Sequence, residues 1–238
     1  MNLRMCRTCL IFFFVCSISF SQKNMNLNII RGIKKPDLVG DSILLERNTF
    51  HAFNKMKDAA KKDGFNLKIV SAYRGYERQK YIWNNKYNKF TNTHSLEPLK
   101  AIKEIIRYST IPGTSRHHWG TDIDIIDEKY SDEEDVLKTS KFEKGGVFYD
   151  IKNWLDLNSE KFGFFITYNN DPKRKGFEHE PWHYSYAPIS KKILNTLIKS
   201  GLKKIIKKEN INGAEYFNDV FISKYISENI LDINPDLK

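Results

Sequence analysis

The chain is poor in cysteine: it has three in 238 residues, Cys6, Cys9 and Cys16, all within residues 1–21. A chain processed after residue 21 therefore has no thiol and no disulfide, which excludes cysteine catalysis, Cys–zinc sites and a cross-linked framework. Long apolar runs are absent beyond the N-terminus, so no membrane helix bundle can be built. No internal repeat or low-complexity tract is present, and the composition is that of an ordinary globular protein. Acids are the minority charge, 29 against 39 Lys and Arg, and the formal +10 suggests an anionic partner without naming it. The length suits one domain, or at most two small ones.

Residues 1–21 have three parts. Arg4 and Arg7 form a positive start, Leu10 to Val15 a short apolar stretch, and Ser17, Ser19 and Ser21 a small-residue cleavage region. This predicts a cleaved signal peptide with Gln22 as the mature N-terminus. The exported chain then lies in the periplasm, the cell envelope or outside the cell, with its charge lowered from +10 to +8 by loss of the two arginines. Lipidation at Cys16 is disfavoured by the bulky Phe14 and Val15 before it. Residues 22–238 are read as a single domain, expected to be monomeric.

Apolar spacing and composition predict helices over 50–62, 76–87, 97–108, 147–162, 190–208 and 215–230. Strands are predicted over 67–72, 123–126, 164–168 and 182–186. Helices and strands mix without a βαβ rhythm, so the predicted class is α+β, a small mixed or antiparallel sheet with helices around it. The lysines of 190–208 alternate with Ile193, Leu194, Leu197, Ile198 and Leu202, the pattern of a solvated face over a core face. Nucleic-acid binding rests on charge alone, and export counts against it.

Four of the six histidines sit in two short segments, Ser115-Arg116-His117-His118-Trp119-Gly120-Thr121-Asp122-Ile123-Asp124 and His179-Glu180-Pro181-Trp182-His183. Imidazoles with a carboxylate suit zinc, and a catalytic zinc keeps three such ligands and one open position. The second segment also spells H-E-x-x-H, which requires a helix to put both histidines on one face. Pro181 in its middle opposes that helix at about 3 kcal/mol. On a strand, residues two or four apart share a face, so Asp122 with Asp124, and His179 with His183, remain equivalent candidates.

These segments resemble the VanY-type zinc D-Ala-D-Ala carboxypeptidases, whose sites read S-x-H-x-x-G-x-x-x-D and E-x-W-H. Ser115, His117, Gly120 and Asp124 fall on the first pattern, and Glu180, Trp182 and His183 on the second. Ser71-Ala72-Tyr73-Arg74, followed by Gln79, resembles the family's S-x-Y-R-x-x-x-x-Q segment, and the likeness runs over about residues 38–190. Where many relatives carry a small residue, this chain has Asp122.

The resemblance implies one zinc held by His117, Asp124 and His183, with Glu180 as general base and Arg74 over the oxyanion or the terminal carboxylate. It also implies substrate contacts from Ser115, Gln79, Tyr73 and Trp182. Gln79 could instead support Arg74, and Trp119 and Trp182 could be wall or contact. His118 and His179 are read as supporting or exposed. The implied substrates are peptidoglycan stem peptides, most simply through loss of terminal D-alanine. L,D-carboxypeptidase or L-Ala–D-Glu endopeptidase action remains open on the same ligands. A non-catalytic wall-binding module would lack a ligand or the base, and none is missing.

Overall fold

A computed structural model describes residues 26–238; the signal-peptide reading and the three cysteines lie outside the described residues. The chain begins with a helical turn, α1 (Leu27–Ile30), and a two-stranded ribbon, β1 (Leu38–Val39) and β2 (Leu45–Glu46). Helix α2 (Arg47–Lys62), strand β3 (Leu67–Ser71) and helices α3 (Tyr76–Asn88) and α4 (Pro98–Ile105) follow. Then come β4 (Asp122–Asp127), α5 (Tyr149–Asn158), β5 (Phe164–Ile166) and β6 (His183–Tyr186). Helices α6 (Ala187–Lys199), α7 (Leu202–Ile206) and α8 (Asp219–Tyr225) close the chain. The main sheet has the order β3-β4-β6-β5, antiparallel throughout, so the class is α+β as the sequence predicts.

Burial explains the layering. Ile123 and Ile125 on β4 and Tyr184 on β6 pack with Phe53 and Met56 of α2 and Leu155 of α5. Alternation along the strands puts Asp122, Asp124, His183 and Ser185 on the opposite face. A second core, built from Trp83, Ile102, Leu197, Ile222 and Tyr225, gathers the remaining helices. A sheet buried on both sides can hold polar groups in fixed positions, provided each finds a partner.

Several elements differ from expectation. Helix α2 starts at Arg47 rather than residue 50, because the Glu46 carboxylate caps it, accepting from the Thr49 amide at 2.9 Å and hydroxyl at 3.1 Å. The predicted 190–208 helix is two helices, broken where Gly201 takes φ +76°; Ile193, Leu194, Leu197 and Leu202 are buried, Ile198 is exposed, and the lysines mostly face water. The 215–230 segment starts in a 3-10 turn, Ala214–Tyr216, and is helical again over α8 and the π-helical turn after it, with Asn218 as the cap of α8.

Candidate metal centre

Asp124 and His183 sit directly opposite each other on β4 and β6, and Ser71 of β3 pairs with Asp124 from the other side. His117 arrives from a 3-10 turn, Arg116–Trp119, just before β4. Two hydrogen bonds lock that turn to the segment after β3: the Arg74 amide donates to the His117 carbonyl at 3.0 Å, and His117 Nδ1 donates to the Ala72 carbonyl at 2.8 Å. Gly120 then reverses the chain into β4 at φ +72°; a Cβ there would meet Leu38 Cδ2 at 2.7 Å and the Glu46 amide at 2.9 Å. The glycine of S-x-H-x-x-G is thus required by both backbone angle and space.

These elements bring His117, Asp124 and His183 together, with one donor atom from each within 4.8 Å of the others. His117 Nε2 is 3.6 Å from Asp124 Oδ2, and His183 Nδ1 is 3.4 Å from Asp124 Oδ1. Ligands held at about 2.0–2.1 Å in a tetrahedron stand roughly 3.4 Å apart, so this spacing fits zinc. Asp124 Oδ1 is buried and has no hydrogen-bond partner among the described residues, as expected of an atom reserved for a cation.

Asp122 is committed elsewhere. Its carboxylate accepts from Arg116 Nε at 2.8 Å, Thr121 Oγ1 at 2.7 Å, Ser185 Oγ at 3.1 Å and His183 Nε2 at 3.1 Å. Burial alone would raise its pKa, but Arg116 and His183 hold the carboxyl well below the usual range. A carboxylate only accepts, so His183 carries its proton on Nε2 and presents Nδ1 to the donor cluster. Burial opposes charge on His183, yet Asp122, Glu180 and Asp124 outweigh it and push its pKa up to about 10. The proton on Nδ1 is the one a cation would displace.

A cavity of about 680 Å³ opens over the donors, and its lining includes Arg74, Ser115, Glu180 and Trp182. Glu180 lies in the loop three residues before the first residue of β6, its Oε2 3.1 Å from His183 Nδ1. Arg74 is held by Gln79 Oε1 at 2.7 Å and Ser71 Oγ at 3.2 Å, while Gln79 Nε2 donates to the Thr110 carbonyl at 2.8 Å. Two of the expected substrate contacts are placed away from this lining. Gln79 is fully buried behind Arg74, and Tyr73 also stands outside the cavity lining. Trp182 lines the cavity with its ring against Phe142, whereas Trp119 belongs to the core and donates to the Ile30 carbonyl at 3.1 Å.

The other two histidines of these segments have structural partners. His118 is fully buried, accepts from the Gly113 amide through Nε2 and donates to the Arg74 carbonyl through Nδ1. Burial lowers its pKa to about 4. His179 donates to the Tyr168 carbonyl and lies outside this cavity, and residues 179–183 form no helix, which removes the H-E-x-x-H reading. Sequence reasoning missed Arg116, an unassigned position inside the first motif, and Lys86, which had no motif to mark it.

Fold and donor set together define an α+β protein with a cavity built around a three-ligand metal site. Residues 42–189 match VanY, the D-alanyl-D-alanine carboxypeptidase family, and the chain belongs to that family. A Bacillus subtilis (strain 168) protein described as "Putative carboxypeptidase YodJ" is 32% identical over 182 residues, 74% of this chain and 54% of that protein. The chain therefore spans about half the length of that relative. The vancomycin-resistance D,D-pentapeptidase VanY, solved in complex with Zn(II), superposes with a TM-score of 0.51 at 24% identity, covering 76% of this chain and 89% of its own. The LdcB LD-carboxypeptidase gives a TM-score of 0.51 at 27% identity, covering 78% of this chain and 79% of its own.

Proposed function

We propose that the chain is an exported zinc carboxypeptidase that trims peptidoglycan stem peptides, removing terminal D-alanine. The observation that carries this reading is one cavity holding the His117–Asp124–His183 donor set, the Glu180 carboxylate beside it and the Arg74 guanidinium. His117, Asp124 and His183 hold the metal, which when bound supplies a Lewis acid that acidifies water and polarises a carbonyl. Glu180 accepts a proton from the attacking water and delivers it to the leaving amine. Arg74, fixed by Gln79 and Ser71, offers a planar fork to the developing oxyanion or to the substrate's carboxylate. Ser115 and Trp182 form walls against which the peptide lies.

The experiment is digestion of defined stem pentapeptides and tetrapeptides, read by mass spectrometry, with zinc stoichiometry measured on the same protein. D-alanine released from the pentapeptide supports the reading; intact peptides and no stoichiometric zinc overturn it. A second reading, L,D-carboxypeptidase action on tetrapeptides, is supported by the likeness to LdcB. Cleavage of the tetrapeptide in preference to the pentapeptide would establish it, and release of an L-Ala fragment would point to endopeptidase action. Export is supported by the signal-like residues 1–21, and intact mass of the mature chain starting at Gln22 tests it.

A further inference from the structure

Lys86, in the last turn of α3, is half-buried and lines the cavity together with Arg74. Its Nζ donates to Ser109 Oγ at 2.6 Å, and no carboxylate among the described residues comes within ion-pair distance of it. Among the described residues, the Arg74 side chain likewise has only the neutral partners Gln79 and Ser71. The other cations lining the cavity are matched, Arg116 by Asp122 and Lys138 by Asp135. Two cations are therefore left for an anionic ligand, and an ammonium withdrawn from water without an acid is unfavourable until one arrives.

Asp124 and Glu180 both bear on Arg74, whereas Glu180 is the carboxylate that bears on Lys86, with Arg74 opposing it. Ser109 is buried, and with its lone pair engaged by Lys86 its hydroxyl proton remains free to donate.

We infer that Lys86 and Ser109 form the subsite that binds the free C-terminal carboxylate of the peptide, leaving Arg74 to the carbonyl under attack. This rests on the peptidase reading above and extends it, because it says what makes the cavity select a chain end over an internal bond. A salt-bridged ammonium with a hydroxyl beside it reads a carboxylate and gains nothing from an amide.

The test compares acetylated L-Lys-D-Ala-D-Ala as free acid and as C-terminal amide. Binding is measured by calorimetry in a Glu180→Gln background, where slow turnover leaves the peptide intact, and cleavage is measured without that change. The free acid should bind about 10–100-fold more tightly than the amide, the range expected for a hydrogen-bonded charge pair. Lys86→Met should abolish that preference while leaving zinc content and amide affinity unchanged, and Lys86→Arg should keep it. Should Lys86→Met fold poorly, Ser109→Ala should still reduce the preference. A preference that survives Lys86→Met, or that is missing from the start, overturns the subsite. A preference that behaves as expected in a protein that cleaves neither peptide leaves the subsite standing and removes the peptidase reading.

Discussion

His183 Nε2 lies 3.1 Å from Asp122 Oδ1, and the same carboxylate is gripped by Arg116, Thr121 and Ser185. One imidazole thus faces two aspartates of the same strand, Asp122 through Nε2 and Asp124 through Nδ1. Asp122 sets the ring's tautomer and angle, and Asp124 is free to share a cation with it.

Asp122→Asn should therefore weaken zinc binding by about 10–100-fold without removing a ligand, the usual effect of losing a ligand's supporting partner. Competition with a fluorescent chelator measures this directly. Unchanged affinity would mean that strand register alone orients His183.

His117→Ala and His183→Ala should each lose the metal, whereas His179→Ala should retain it, because His179 is tied to the Tyr168 carbonyl outside the cavity. Zinc content by atomic absorption separates the three. Loss of metal in His179→Ala to the same extent would contradict the donor assignment.

Glu180→Gln should keep zinc and peptide binding but lose about 10²–10⁴-fold in turnover, the usual contribution of a positioned acid–base group. Arg74→Lys keeps a charge but gives up the fork that Gln79 and Ser71 hold, so it should impair turnover, binding or both with zinc still in place. Turnover of Glu180→Gln near that of the unmodified protein would transfer the base role to another group.

Gly120→Ala should lower stability by about 1–3 kcal/mol, since it combines a left-handed backbone with a clash against Leu38 and the Glu46 amide. A fall in Tm, with zinc affinity reduced because His117 shares that turn, is the expected readout. An unchanged Tm would show that the β1–β2 ribbon yields at little cost.

Much of this was legible in the sequence because it is local. Phe53, Met56 and Ala60 stand at three-to-four spacing within the helix predicted over 50–62, and the packed core contains all three. The α+β class followed from element order, and the candidate site residues followed from three motifs that lie in chain order. The Glu46 cap was missed because glutamate is an unusual N-cap, and the helix break at Gly201 because an apolar stripe continues on both sides of it.

The sequence by itself determined which side chains are available: two histidine-and-acid segments, an arginine after a strand, and a body without thiols. Its periodicity left Asp122 equivalent to Asp124 and His179 equivalent to His183, because a period of two repeats every face it defines, and only the family resemblance chose between them. Tertiary structure supplies the physical reason for both choices. Strand register sets Asp124 opposite His183, Arg116 and Ser185 claim Asp122, and a loop ending at Pro181 turns His179 toward Tyr168. The position of Lys86 in the same cavity as Arg74 was likewise decided by the fold, since the two meet only when α3 is packed. Each of these choices depends on contacts between residues far apart in the chain, and periodicity carries no information about those.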